Sequence, residues 1–278
     1  MTEYAYYNGV FTPYNAATIP LSDRSIFFSD AVYDVIVGRG KILYQFDEHL
    51  DRILGNAKAV GLGNLPDKSE IVEAANELIE LCETDEFMLY IQFSADAQRR
   101  THTREAGAVN LLMTVTKCEV PRSLSDISAI TLPDTRHRFC NLKTTSLLPA
   151  VMSVEEAKRR GAEIAIFHRD GTVTECSYAN VTIVKSARLI THPYDSDILP
   201  GITQINLERM ADRLGIARES RPFTVEEMCR ADAVVISSTT KLIKLCTEID
   251  GVKLNICDRD TVERLFNALR DDLYSTTS

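Results

Sequence analysis

Two charged residues in the second half of the chain stand where their side chains can do chemistry. Lys143 lies in "NLKTTSLL", between a leucine and two threonines and just ahead of a segment with helical spacing. Desolvating an ammonium group is costly or lowers its pKa, and a lysine with a lowered pKa is a nucleophilic amine suited to Schiff-base formation. Glu175 ends the strand-like run "TVTE", where its carboxylate meets water or faces a group that needs a negative charge. Taken singly, each residue is more simply a solvated surface charge.

Three further segments have the composition of an anion-binding site. "LPGIT" places a glycine turn directly before a helix, so the amides of Ile202 and Thr203 lie at the positive end of the helix dipole. "SSTT" offers hydroxyls at the end of a strand, including those of Ser238 and Thr239, and Arg52 in "DEHLDR" supplies a fixed positive charge. An ordinary helix cap, a threonine-rich turn and a surface arginine explain these segments equally well when each is taken alone.

Arg100 and His102, in "RRTH", are spaced so that an extended loop turns both side chains to one side. A guanidinium and an imidazole on one side suit a carboxylate, which accepts charge-assisted hydrogen bonds from both. A solvated basic loop is the alternative.

Composition narrows the class of protein. The 278 residues are 45% hydrophobic and 26% charged, as in a soluble globular protein of one large or two medium domains. A net charge of −9 argues against nonspecific binding to nucleic acid or anionic membranes. The sequence has no apolar run long enough to span a bilayer and no secretion signal at its start. Its seven cysteines form no CxxC pair. We therefore expect a cytoplasmic protein with reduced thiols. The five histidines lack metal-ligand spacing, and we expect no metal site.

Short-range patterns in the first half predict a small α/β domain over residues 1–117. Asn8-Gly9 between two apolar runs is a strong hairpin signal, and "VYDVIVGRGKILYQF" repeats it around two glycines. Apolar residues at spacings of three and four predict helices over 50–57 and 71–79. Two strand-like runs, "EFMLYIQF" and "AVNLLMTV", complete this half.

A linker over residues 118–123, which contains Pro121 and has no periodicity, leads to a larger, strand-rich domain over 124–278. Helices are predicted in "SLLPAVMSVEEAKRRGA", with Gly161 as its stop, in "ITQINLERMADRLG" and in "TVERLFNALRDDL". Strands alternate with them, and Asp250-Gly251 marks another hairpin. The predicted class is therefore α/β (α+β) with two domains.

In this order, the motifs resemble those of the fold-type IV pyridoxal-phosphate enzymes, which include branched-chain aminotransferases, D-amino acid aminotransferases and aminodeoxychorismate lyases. The resemblance covers nearly the whole chain and is carried by "DRSIFFSDAVYDVI", "DEHLDRI", "LKTTSLLPAV", "TVTECSYANV", "ILPGITQ" and "ISSTT". It implies a small N-terminal α/β domain and a larger C-terminal domain, a strand-rich pseudo-barrel with helices, that binds pyridoxal 5′-phosphate.

The resemblance also implies a role for each candidate residue. Lys143 matches the lysine that forms a Schiff base with the cofactor. Glu175 matches the carboxylate that pairs with the pyridine nitrogen and keeps the ring protonated, which makes the ring a better electron sink. Asn180 falls beside the ring, and the cofactor phosphate is assigned to Arg52, Ile202, Thr203, Ser238 and Thr239.

The "RTH" of Arg100 and His102 resembles the Arg-x-His loop of D-amino acid aminotransferases, which holds the substrate α-carboxylate together with a tyrosine that matches Tyr33. In those enzymes the loop reaches in from the neighbouring subunit, so the resemblance implies a homodimer with shared active sites. Gln204 departs from the family pattern, since an arginine is common after "GIT".

The implied function is transamination between a D-amino acid, such as D-alanine or D-glutamate, and a 2-oxo acid, such as pyruvate or 2-oxoglutarate. The alternatives are an aminotransferase for L-branched-chain amino acids or (R)-amines, an aminodeoxychorismate lyase, and a non-catalytic protein that binds or stores the cofactor. Branched-chain enzymes and lyases lack the Arg-x-His pairing, and a storage protein has no need to hold a carboxylate, so the D-specific interpretation is favoured.

Overall fold

The computed structural model describes residues 3–105 and 107–277, which form two compact units. The first unit contains residues 3–120 together with two short segments from later in the chain, 142–146 and 274–277. The second unit contains residues 121–141 and 147–273. Lys143 therefore belongs to the first unit, although it lies in the second half of the sequence.

The first unit is built on a six-stranded sheet with the strand order β2-β1-β6-β5-β3-β4. All of its strand pairs are antiparallel. The hairpin predicted at Asn8-Gly9 is confirmed, and both residues have the positive φ (46° and 90°) that such a two-residue turn requires. The strands are β1 (Tyr4–Tyr7), β2 (Val10–Pro13), β3 (Ala31–Arg39), β4 (Ile42–Leu43), β5 (Glu86–Ala95) and β6 (Val109–Lys117).

Two amphipathic helices cover one face of this sheet, as the apolar spacing predicted. The helices of the unit are α1 (Arg24–Phe28), α2 (Phe46–Ala59) and α3 (Lys68–Glu80), with a 3-10 turn at Tyr14–Ala16. The buried faces of α2 and α3 pack with the central strands in one apolar cluster that includes Leu50, Ile53, Ile71 and Leu78. Asp67 caps the start of α3: its side chain accepts from the Glu70 amide, and its own amide donates to the Glu70 carboxylate, as in a capping box.

The segment 142–146 runs beside β3 and is held there by its main chain. The Tyr33 amide donates to the carbonyl of Lys143 over 2.9 Å, and the Thr145 amide donates to the carbonyl of Ala31 over 3.1 Å. An isolated bridge pairs Val32 with Thr144. These bonds fix Lys143 next to Tyr33, whichever rotamers the side chains adopt.

The second unit is built on a nine-stranded sheet with the order β12-β11-β10-β13-β14-β7-β8-β9, with β15 paired to β14. Parallel and antiparallel pairs are mixed. Its strands are β7 (Asp126–Pro133), β8 (Ile164–Arg169), β9 (Thr172–Cys176), β10 (Asn180–Lys185), β11 (Arg188–Thr191), β12 (Ala217–Ser220), β13 (Ala233–Ser238), β14 (Leu242–Ile249) and β15 (Val252–Lys253).

Helices α4 (Leu148–Arg159), α5 (Ile202–Arg213), α6 (Val225–Cys229) and α7 (Arg259–Thr276, in this unit through Leu273) accompany the second sheet. The predicted stop of α4 is confirmed, since Gly161 follows it with a φ of 79°. The hairpin at Asp250-Gly251 is confirmed as well, and it joins β14 to β15. Within the described residues, no helix combines the length and the apolar character needed to cross a bilayer. The predicted mixed α/β class is confirmed.

Candidate functional site

Glu175 is buried at the end of β9, with 6% of its surface exposed. One carboxylate oxygen accepts from Arg136 Nη1. The other accepts from Asn180 Nδ2 over 3.2 Å and from the Leu199 amide over 3.1 Å. Burial raises the pKa of Glu175 to about 7, an effect that Arg136 and the Leu199 amide only partly offset. The Glu175 carboxylate is therefore buried and hydrogen-bonded rather than solvated at the end of its strand. Its role toward a cofactor stays a prediction.

Arg136 is a neighbour of Glu175 that the sequence patterns did not single out. Its guanidinium also forms a two-point contact with Asp134, from Nε to Oδ1 over 2.9 Å and from Nη2 to Oδ2 over 2.7 Å. Asp134 has a fully buried side chain and accepts a further hydrogen bond from Thr174. "PDTRHR" is dense in charge but has no periodicity, so only the fold reveals that Asp134 orients the arginine that contacts Glu175.

Asn180 connects Glu175 to the turn that begins α5. Its Nδ2 donates to the carbonyl of Leu199 over 2.8 Å as well as to Glu175. A Cβ atom on Gly201 would lie 2.1 Å from Asn180 Oδ1, so a side chain at this point of the turn would displace the Asn180 amide. Gly201 provides no side-chain cap for α5, and the amides of Ile202 and Thr203 are at the positive end of the helix.

The hydroxyl-rich end of β13 lies beside the first turn of α5. Ser237 pairs with Asn180 across the sheet and donates to Gln204 Oε1 over 2.8 Å. Thr182 donates to the same oxygen over 3.0 Å, which explains why an acceptor, rather than the arginine common in the family, fits this buried position. Ser238 and Thr239 follow directly, and their hydroxyls have no hydrogen-bond partner among the described residues.

These residues of the second unit fit pyridoxal 5′-phosphate, which combines a phosphate ester with a basic ring nitrogen. An uncapped helix start with hydroxyls nearby suits a phosphate. A buried carboxyl group with a raised pKa gains from a cation placed against it, since the opposite charge stabilises its ionised form. The structure thus brings together Glu175, Asn180, the Ile202–Thr203 amides and the end of β13, all of which the sequence had nominated.

In the first unit, the structure brings Lys143 and Tyr33 together. Lys143 is half-buried, and its Nζ lies 4.3 Å from the centroid of the Tyr33 ring. Tyr33 in turn stacks on Tyr90, with 5.4 Å between ring centroids, and the Tyr90 hydroxyl donates to Gln92. Among the described residues, no carboxylate pairs with the Lys143 amine, which lies against an aromatic ring and makes a cation–π contact instead.

Arg52 is held by a buried carboxylate on β3. Its Nε and Nη2 donate to the two oxygens of Asp34 over 2.8 and 2.7 Å, and His49 Nδ1 lies 2.8 Å from Asp34 Oδ1. Burial works to raise the pKa of Asp34, but Arg52 and His49 outweigh it and hold that pKa well below its usual range. Arg52 as a phosphate ligand stays a prediction.

The sequence does contain a signal for the cluster of Asp34, His49 and Arg52. Asp34 lies inside the apolar run "VYDVIV", and His49 and Arg52 are one helical turn apart.

We expect Asp34→Asn to lower the free energy of unfolding by about 1–3 kcal/mol at neutral pH, because a buried guanidinium and imidazole lose their charged acceptor. The pKa of Asp34 is depressed in the folded protein, so its stabilisation is present above the unfolded pKa of about 4 and is lost as the pH falls further. Urea unfolding at pH 7 measures the effect. The control is Asp51→Asn, an exposed carboxylate on α2 that pairs with Lys68. Equal stability of the two variants would contradict the prediction.

Arg100 and His102 are both exposed and both lie against Phe28. The Arg100 guanidinium carbon is 5.3 Å from the centroid of the ring, and His102 meets the same ring edge-on at 5.5 Å. The structure thus brings Arg100 and His102 together on one aromatic side chain. Among the described residues, neither contacts Tyr33, so the three-residue carboxylate clamp stays a prediction.

Comparison with known proteins places this fold and these residues in a family. A family model described as "Amino-transferase class IV" matches residues 31–249. The chain is 30% identical to a D-alanine aminotransferase of Staphylococcus aureus (strain MSSA476), over 91% of each chain. It is 33% identical to a D-alanine aminotransferase of Listeria monocytogenes (strain 10403S), over 86% of this chain and 84% of that one.

The fold matches that of a solved branched-chain amino acid aminotransferase of Escherichia coli, with a TM-score of 0.89 at 20% identity over 100% of this chain and 97% of the other. The expected fold-type IV architecture is thereby confirmed. The chain therefore belongs to the class IV aminotransferases, enzymes that depend on pyridoxal 5′-phosphate and act on amino and oxo acids.

Proposed function

We propose that this enzyme transfers the amino group of a D-amino acid, such as D-alanine or D-glutamate, to a 2-oxo acid, such as pyruvate or 2-oxoglutarate. The observation that carries the proposal is the pair of Arg100 and His102 against one ring, a guanidinium and an imidazole fit to receive a carboxylate. The identity of 30–33% to proteins named D-alanine aminotransferases supports it.

Each residue then has a defined task. Pyridoxal phosphate, when bound, withdraws electrons from the bonds at the substrate α-carbon. Lys143 carries the cofactor and then moves a proton from that α-carbon, acting as base and then as acid. Glu175 would pair with the ring nitrogen, and Asn180 holds Glu175 against the turn before α5. The residues that would hold the phosphate are Arg52, Ile202, Thr203, Ser238 and Thr239.

Arg100 and His102 orient the substrate by its carboxylate together with Tyr33, which determines the face of the α-carbon that Lys143 meets. We further propose that the enzyme is a homodimer in which Arg100 and His102 serve the active site of the partner subunit. Their exposure and their lack of contact with Tyr33 among the described residues support this arrangement.

A branched-chain L-amino acid aminotransferase is the second candidate, because the fold also matches a protein of that name with a TM-score of 0.89. The two candidates share every step at Lys143 and Glu175. They differ in what holds the α-carboxylate, so substrate handedness separates them.

The test is the visible spectrum of the holoenzyme during separate additions of D-alanine, L-leucine and (R)-1-phenylethylamine. Fast conversion of the cofactor by D-alanine, slow but measurable conversion by the amine and none by L-leucine is the expected result. Conversion by L-leucine, or conversion by the amine as fast as by D-alanine, would overturn the D-specific proposal, whereas repeated release of pyruvate from aminodeoxychorismate without an oxo-acid acceptor would point to a lyase.

We expect Arg100→Ala to raise KM for D-alanine by roughly 10- to 100-fold, since a charge-assisted hydrogen bond contributes about 1.5–3 kcal/mol. The rate with a carboxylate-free amine should stay unchanged. Arg99→Ala removes the adjacent exposed cation and serves as the control. Steady-state kinetics of the three proteins decide the matter, and equal KM values for Arg100→Ala and Arg99→Ala would remove Arg100 from the site.

A further inference from the structure

The loop over residues 96–105, which carries Arg100 and His102, is closed at its base by its own hydrogen bonds. The side chain of Gln98 donates to the carbonyl of Glu105 over 3.1 Å and accepts from the Glu105 amide over 3.0 Å. The Gln98 amide also donates to the carbonyl of Ser22, just before α1. The base of the loop is therefore tied, whereas the residues at its tip are exposed and need another support.

Arg24, the first residue of α1, provides that support through its buried side chain. Its side chain is 4% exposed, and its Nη1 donates to the carbonyl of Thr101 over 2.8 Å. The same nitrogen lies 3.5 Å from the carbonyl of Thr103. Thr101 is the residue between Arg100 and His102, so the bond from Arg24 holds the main chain between these two residues.

Asp30 holds Arg24 in this position and also holds the far end of the loop. Its Oδ2 accepts from Arg24 Nε over 2.8 Å. Its two oxygens also accept from Nε and Nη2 of Arg104, whose Nη1 reaches the carbonyl of Val60 over 2.6 Å. Burial works to raise the pKa of Asp30, but the hydrogen bonds from Arg104 and Arg24 outweigh it and lower that pKa, so the carboxylate stays ionised between the two guanidinium groups.

Phe28, at the end of α1, completes the support. The Arg24 guanidinium lies 4.6 Å from the centroid of its ring, and Arg100 and His102 contact the same ring. Arg24 therefore fixes both the backbone at Thr101 and the aromatic surface on which the two exposed side chains rest. Both effects depend on its guanidinium, because a single ammonium cannot match this planar set of donors and also stack on the ring.

We propose that Arg24 is a positioning residue for substrate selectivity, which holds Arg100 and His102 in the orientation that receives an α-carboxylate, with Asp30 and Arg104 as its supports. This inference rests on the proposed function of Arg100 and His102. It adds that a buried side chain with no place in the cofactor site determines how well substrates with a carboxylate are distinguished from those without one.

The test uses the holoenzyme with Arg24→Met, which keeps much of the side-chain volume and removes the donors. The first readout is KM and kcat for D-alanine and for (R)-1-phenylethylamine, which lacks a carboxylate. We expect KM for D-alanine to rise by roughly 10- to 100-fold, since a shift of the order of an ångström in a positioning group has effects of that size, while the amine rate stays within about twofold. A purely structural role would lower both activities together.

The second readout, amide hydrogen exchange over residues 98–105, does not depend on activity. The amides of Gln98, Thr101 and Glu105 are hydrogen-bonded in the structure, and we expect them to exchange faster in the variant while β3 and β5 stay protected. The control is Arg39→Met, which removes another guanidinium that lies over an aromatic ring, 4.9 Å from Tyr274. If Arg24→Met fails to fold, Arg104→Met removes the other support of Asp30 at an exposed site and should act in the same direction.

The outcomes separate the inference from the function on which it rests. A wild-type enzyme that converts D-alanine and the amine equally well overturns the carboxylate clamp itself, whatever the exchange data show. A wild-type enzyme that prefers D-alanine, together with unchanged KM and unchanged loop exchange in Arg24→Met, overturns the inference about Arg24 alone.

Discussion

Replacing Lys143 by alanine should lower kcat with amino acids by roughly 10²- to 10⁴-fold, the range typical for loss of a positioned acid–base group. Lys143 is the proposed carrier of the cofactor and the group that moves the α-proton. The amine has no carboxylate partner among the described residues and lies 4.3 Å from the Tyr33 ring centroid, so its removal leaves no described carboxylate unpaired. The fold should therefore survive, and cofactor absorbance should remain after dialysis.

Two measurements make this prediction specific. Lys58→Ala, an exposed lysine on α2, is the control and should keep full activity. Methylamine added to Lys143→Ala should restore part of the rate, because a small amine can take over proton transfer at an unoccupied position. Full activity of Lys143→Ala would remove Lys143 from the mechanism.

Glu175→Gln should lower kcat by roughly 10²- to 10³-fold, the size of effect seen when one electrostatic partner of a reacting system is removed. The carboxamide keeps the shape of the side chain and its contact with Asn180, but it cannot hold a proton on a ring nitrogen opposite to it. The pH dependence of the absorbance of the bound cofactor should also shift. This readout does not require turnover. Glu155→Gln, an exposed residue on α4, is the control.

We also expect Glu175→Gln to change how the stability of the cofactor-free protein depends on pH. The pKa of Glu175 is raised to about 7 in the folded state, so the folded protein binds this proton more tightly than the unfolded chain does. Wild-type stability should therefore fall, relative to Glu175→Gln, as the pH rises from about 4.5 to about 7, and the difference should level off above that range. Urea unfolding of both proteins across this range measures it, and a difference that does not vary with pH would show that the carboxyl group titrates normally.

Local patterns in the sequence were enough to predict most elements. The faces of α2 and α3 follow from apolar spacing, and the turns at Asn8-Gly9 and Asp250-Gly251 follow from residues that tolerate positive φ. These signals act over a few residues. The structure follows them because the tertiary contacts of these segments favour the same local conformations.

Features that depend on distant contacts could not be predicted in this way. No pattern in "LKTTS" indicates that Lys143 pairs by its main chain with β3, more than a hundred residues earlier. The contact of Arg136 with Glu175 and the bond from Arg24 to Thr101 join segments far apart in the chain. The sequence supplied the residue types of the candidate site, and the resemblance to known enzymes supplied their roles, whereas the residues that orient them emerged only from the fold.

Lys143 is held by main-chain hydrogen bonds, whereas the Arg100–His102 loop is held largely by hydrogen bonds from side chains. The two therefore respond differently to mutation. The main chain of the 142–146 segment is bonded to β3, and a main-chain bond of this kind survives most side-chain substitutions. The loop depends on the side chains of Arg24, Asp30 and Arg104, each of which a single codon change can alter. With the roles proposed for Lys143 and for the loop, substrate choice can drift by mutation while the amine proposed to transfer the proton stays in place, so new amino acid preferences can arise in this scaffold without first losing catalysis.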